Sequence, residues 1–148
     1  MIFLVWGLFV IFSVYNSILD LKTLHISLVC NYLGFGVVFF ILLFFFKNRF
    51  LEYFLGALFL FCIFFVVRMI THQGLGLGDI HYSLFCGLVS GCPNFIISAF
   101  CASCLGIIYF VVCKYIIYKN KIGIKRIPFI PCMFLGTIIG NSICNIFL

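Results

Sequence analysis

The chain has 148 residues, 66% of them hydrophobic, 20% aromatic and only 8% charged, and its mean hydropathy is +1.37. That composition excludes a soluble globular domain and points to a protein that crosses the bilayer several times. Nine Lys and Arg against three Asp and Glu leave a net charge of +6, which basic loops at one membrane face explain without any nucleic-acid partner.

Six apolar stretches follow in chain order: residues 1–19, 26–46, 53–70, 80–92, 94–113 and 127–148. Most approach the ~20 residues that a helix needs to cross ~30 Å of hydrocarbon, while the fourth is short. Long apolar runs without alternation disfavour barrel strands. The expected fold is therefore an all-α polytopic membrane protein of about six transmembrane helices, one intramembrane unit with no soluble domain. The first stretch lacks a basic n-region and a small-residue cleavage site, so it reads as a mature span, not as a secretory signal.

Lys22, Arg68, Lys114, Lys119, Lys121, Lys125 and Arg126 fall at the ends of stretches one, three and five, against Lys47 and Arg49 at the other end. The positive-inside rule then places the N-terminus outside and the first set of loops in the cytoplasm. Arg68 and Lys114 read most simply as snorkelling side chains. The nine cysteines lie mostly within apolar runs, where cysteine behaves as a small hydrophobe. Cys101 and Cys104 have CxxC spacing, but no second pair completes a zinc site, so close helix packing is expected there rather than metal. No cofactor is implied.

Ionisable groups within or beside a span are costly and are functional candidates by default. Glu52, flanked by Lys47 and Arg49, reads as a solvated loop charge. Asp20 ends the first span and by itself could be a hydrated interfacial carboxylate near Lys22. Asp79 follows Gly74, Gly76 and Gly78 in "GLGLGDIHYSLFCGL", residues 74–88. Glycines there permit φ > 0 and the close approach of other backbone or of a substrate strand. Asp79 would sit in the first turn of the fourth helix, where a carboxylate is favoured by the helix dipole and could serve only as a cap. GLGLGD is neither a dinucleotide fingerprint nor a P-loop. Asp20 and Asp79 share one membrane face. Two neighbouring carboxyls cannot easily both ionise, so one can act as base and the other as acid in peptide hydrolysis without a covalent intermediate.

The segment around Asp79, with Gly87 and Gly91 eight and twelve residues on, resembles the GxGD segment of the type IV prepilin peptidases, intramembrane aspartyl enzymes that remove prepilin leader peptides. "DLKTLHIS" at Asp20 is similar to the family's first catalytic aspartate, which a basic residue (here Lys22) follows; Ile26 matches the next segment, while Ser27 and Leu28 replace proline and asparagine. "IPFIPCMFLG", residues 127–136, resembles the Pro-Phe-Gly-Pro segment opening the last span, with Ile130 for glycine. His81 replaces a common lysine. The resemblance implies catalysis by Asp20 and Asp79. Gly74, Gly76, Gly78, Lys22, His81, Pro128 and Pro131 would shape the loop or the substrate site. The cytoplasmic insertion with two CxxC pairs, found in larger members that also N-methylate the product, is missing. A short peptidase-only form in the inner (cytoplasmic) membrane is implied, with its site facing the cytoplasm. Its substrate would be a prepilin-like preprotein with a short basic leader and a hydrophobic helix. Two other readings stay open. One is a GxGD protease of the presenilin or signal-peptide-peptidase kind, whose Pro-Ala-Leu motif this chain lacks; the other is a small proton or cation transporter using both aspartates. His25 and His72 read as ordinary interfacial histidines.

Overall fold

The computed structural model describes residues 2–72, 74–120 and 128–147. Within them the chain forms six α-helices: α1 (Ile2–Thr23), α2 (Leu28–Phe45), α3 (Phe50–Ile70), α4 (Leu77–Ser90), α5 (Phe95–Asn120) and α6 (Ile130–Phe147), with a single 3₁₀ turn at Lys47–Arg49. The expected all-α polytopic fold is thus what the chain adopts. Four helical segments (Ile2–Thr23, Leu28–Phe45, Lys47–Ile70 and Phe95–Cys113) are long and apolar enough to cross a bilayer. Helix α4, with 14 residues, extends only about 21 Å. The charges at Lys121, Lys125 and Arg126 lie outside the described residues.

Two boundaries differ from the sequence reading. Helix α1 runs one turn beyond residue 19, so Asp20 sits inside a helix, not at its end. The reason is local: the Thr23 hydroxyl donates to the Leu19 carbonyl at 2.9 Å, and the helix closes only at Leu24, whose φ of 54° breaks it. Glu52 is exposed as expected, but it belongs to the first turn of α3, not to a loop, where the helix dipole favours it.

Short α4 is the hub and touches each of the other five helices. Its residues from Phe85 to Ser90 are all buried, and large apolar side chains cover the outside of the bundle, as with Phe3, Phe44 and Ile146. Lipid is as apolar as these side chains, so packing rather than solvent exclusion has to hold the helices together. Glycines supply it. A Cβ on Gly87 of α4 would lie 2.4 Å from the Gly56 carbonyl oxygen of α3, so the two backbones touch. On α6, Gly136 and Gly140 rest on Ala102 and Ser98 of α5 in the same way, at 2.4 and 2.5 Å to backbone atoms. The small-residue packing expected around Cys101 and Cys104 is therefore centred on Ala102. Deeper in this seam Asn141 donates to the Ser90 hydroxyl at 3.0 Å and to the Thr137 carbonyl at 2.9 Å, and Ser90 donates to Ser98 at 3.1 Å.

Candidate active site

Asp20 is 6% exposed, and its Oδ2 accepts a hydrogen bond of 3.1 Å from the Ile130 backbone N–H. Ile130 is the first residue of α6, so a side chain from α1 caps a helix 110 residues away. A helix start leaves unpaired N–H donors and a partial positive charge, and a carboxylate satisfies both. This overturns the view of Asp20 as a hydrated interfacial charge near Lys22. Residues two apart on a helix point to nearly opposite sides, and Lys22 is exposed.

Asp79 is the third residue of α4, and its Oδ2 accepts from the Gly76 N–H at 3.2 Å. Asp79 is therefore a cap, as its position alone suggests, although a one-sided one: glycine has no side chain to return the bond. Asp79 lies outside the four candidate spans. Burial foremost, and then the charge of Asp20, push its pKa up to about 7 against the opposing pull of the Gly76 N–H. The two carboxyls act on each other electrostatically, but each is bonded to a backbone amide; no hydrogen bond joins them.

The glycines around Asp79 work otherwise than by left-handed backbone. Gly91 is the only glycine with positive φ among the described residues. Gly78 makes room for Ile26: a Cβ there would stand 2.6 Å from Ile26 Cδ1. Ile26 lies in the turn just after Asp20, so this glycine lets the two aspartate-bearing segments meet. Gly76 makes room for Asp79 itself, whose Oδ2 would be 2.9 Å from an added Cβ. Gly74 is crowded by Thr71, with its Cβ and carbonyl oxygen both at 3.2 Å. In the turn below, the Ser27 hydroxyl caps α2 by accepting from the Cys30 N–H at 3.3 Å.

Three further residues hold this corner and carry no motif signal. The Arg68 guanidinium donates to the Leu75 carbonyl, tying the end of α3 to the glycine loop; it does more than snorkel. The Asn31 amide of α2 donates to the His81 carbonyl at 3.0 Å, and the Tyr32 hydroxyl shares a hydrogen bond of 2.7 Å with His81 Nδ1. His81 is thus engaged with α2, whereas His25 and His72 are exposed. Only a pattern of polar residues within apolar runs pointed to Asn31, and that pattern has many other causes.

Pro131 occupies the first turn of α6, where a missing N–H costs nothing. With Pro128 it lines an apolar groove of about 430 Å³ that Leu21, Leu105, Ile108 and Tyr109 also border. Asp20 is not part of the lining, but Tyr109 and Cys132 of the groove lie within electrostatic reach of its carboxyl.

The family model described as type IV leader peptidase matches residues 7–111, a span that includes Asp20, Asp79 and the whole of α4. No curated protein and no solved structure matches the chain. A family match over more than two-thirds of the sequence, joined to two aspartates at one end of a helical membrane bundle, establishes that this chain belongs to the type IV leader peptidase family.

Proposed function

We propose that the protein is a leader peptidase acting through Asp20 and Asp79, and that it removes a short basic leader from type IV pilin-like preproteins at the cytoplasmic face of the inner membrane. The observation that carries this reading is the convergence of two largely buried acids, one in the last turn of α1 and one in the first turn of α4. Asp20 is seated on the α6 N-terminus, Asp79 is capped within its own loop, and Ile26 against Gly78 joins their segments. One ionised carboxyl takes a proton from water as the water oxygen adds to the scissile carbonyl. The other, protonated, gives its proton to the carbonyl oxygen. Collapse of the tetrahedral diol breaks the C–N bond, with a proton passing to the leaving amine. The pair titrates as a unit, so neither carboxyl owns the acid role.

The hydrophobic helix of the preprotein would lie in the apolar groove beside Leu21, Pro128 and Pro131, which brings the junction between leader and helix to Asp20. The leader's positive charge would gain from the negative pair more than from the rest of this basic face. The absence of a two-CxxC insertion after Asp20 favours peptidase activity without N-methylation.

The test is co-expression with a prepilin-like substrate, with leader removal read by gel mobility. Wild type is expected to process the substrate, and Asp20→Asn and Asp79→Asn are each expected to leave it uncut. Complete processing by either single variant would end the two-aspartate mechanism.

A further inference from the structure

Below the two aspartates α1 and α4 carry buried polar side chains before they meet through the rings of Phe9 and Phe85. Ser13, Asn16, Ser17 and Asp20 recur at helical spacing and share one face of α1. Asp79, Tyr82 and Cys86 do the same on α4. Asp20 lies in the last turn of α1 and Asp79 in the first turn of α4, at a common end of the bundle, so the helices run antiparallel. Asn16, one turn from Asp20, therefore comes level with Tyr82, one turn from Asp79. Ser13, Asn16 and Tyr82 are 0% exposed and Ser17 is 8% exposed.

These groups are not paired with one another. The hydroxyls of Ser13, Ser17 and Tyr82 and both polar atoms of the Asn16 amide have no hydrogen-bond partner among the described residues. Ser13 faces the Tyr82 hydroxyl, but without the geometry of a hydrogen bond. The seam at Asn141, Ser90, Ser98 and Thr137 behaves differently, since its amide and hydroxyls satisfy each other. A serine can turn its hydroxyl onto the carbonyl four residues back, as Ser103 and Ser142 do. A buried amide has no comparable retreat, and the Tyr82 phenol has beside it only the Ser13 hydroxyl and the weakly bonding Cys86 thiol; leaving such groups bare inside a bilayer is costly. Lipid tails offer neither donor nor acceptor.

We propose that Ser13, Asn16, Ser17 and Tyr82 form an internal water site directly behind the aspartate pair, and that Asn16 acts through this water as a positioning residue for Asp20. A buried water makes about three hydrogen bonds, so about two waters complete these five atoms. The Asn16 amide offers donors and acceptors together and can hold such water whichever carboxyl carries the proton. It fixes the orientation of the Asp20 carboxyl from the side that Ile130 leaves open. The role in cleavage rests on the peptidase reading above; the water site itself does not.

The decisive measurement is radiolytic hydroxyl-radical labelling of the full chain in detergent, without substrate, read by mass spectrometry. Tyr82 and Phe85 are equally inaccessible at 0% exposure, and radicals generated from bound water reach only a side chain that touches it. Tyr82 is expected to label several-fold faster than Phe85, and Asn16→Leu is expected to remove the difference. Equal labelling of the two in wild type overturns the water site. In the cleavage assay Asn16→Leu is expected to lower kcat about tenfold with KM unchanged, and Asn16→Ser, which can still hold water, to recover most of the loss. A dry seam predicts the reverse: Asn16→Leu melts at a higher temperature and cuts as wild type does. Labelling at Tyr82 with an undiminished kcat overturns the positioning role alone. A wild-type chain that cuts no prepilin-like substrate counts against the peptidase reading and leaves the labelling result standing.

Discussion

Asp20 and Asp79 reach the same corner by opposite means. Asp79 is held by its own loop, three residues from the amide it accepts from; Asp20 is held by a helix start 110 positions away. One carboxylate is placed by local sequence and the other by tertiary structure. A local seat survives small displacements of the bundle, whereas a long-range seat reports them.

The largest expected effect treats the two alike. Asp20→Asn and Asp79→Asn keep the shape and the amide contacts but cannot exchange the proton, and each is expected to lower cleavage by about 10²- to 10⁴-fold. A gel-shift assay that found either variant more than a tenth as active as wild type would separate their roles. Next in size is the pH profile. The raised pKa of Asp79, about 7, means that the pair holds its shared proton up to about that pH; above it that proton is lost, and cleavage is expected to fall about tenfold per pH unit. The same shift has a consequence for folding. The folded-state pKa of Asp79 exceeds the ordinary 3.8, so its contribution to stability is complete below that value and is lost as pH rises through about 7. Melting temperature is expected to decline over this window, and Asp79→Asn to flatten the decline. An unchanged slope in the variant would assign the titration to another group.

Truncation should then set the two seats apart. Asp20→Ala leaves the α6 start without its partner and is expected to cost about 1–3 kcal/mol, while Asp79→Ala loses a cap worth about 1 kcal/mol. Equal losses in urea or thermal unfolding would contradict the division into long-range and local seats. The smallest effect concerns the contact between them. Gly78→Ala is expected to reduce cleavage a few-fold, because its Cβ would press on Ile26. Ile26→Ala should restore much of it, since the clash is with the end of a side chain. Simple additivity of the two changes would mean that Gly78 serves something other than this packing.

The number of helices, their approximate limits and the common face of Asp20 and Asp79 were legible in the sequence because apolar length and isolated charge are local properties. Asp79's capping was legible for the same reason. The partner of Asp20 was not, since nothing near residue 20 names Ile130. Nor was the real use of the glycines. A glycine announces only that something comes close, and whether that is a substrate strand or Ile26 depends on where another segment has folded. Arg68 and Asn31 stayed hidden because each bonds a backbone carbonyl, which leaves no trace in residue identity. Gly87 was legible as a motif position, but its contact with Gly56 was not.

Proline at position 131 has an electrostatic side as well as a steric one. A helix start normally presents a fan of amide hydrogens, and a carboxylate that collects two or three of them becomes too well solvated an anion to take part in proton exchange near neutrality. Pro131, the second residue of the helix, contributes no amide hydrogen. The fan is thinned at that position, and Asp20 accepts a hydrogen bond from the Ile130 amide with the Phe129 amide beside it. The α6 N-terminus therefore works as a muted electrode, positive enough to seat a buried carboxylate while lacking one of the donors that a helix start usually presents.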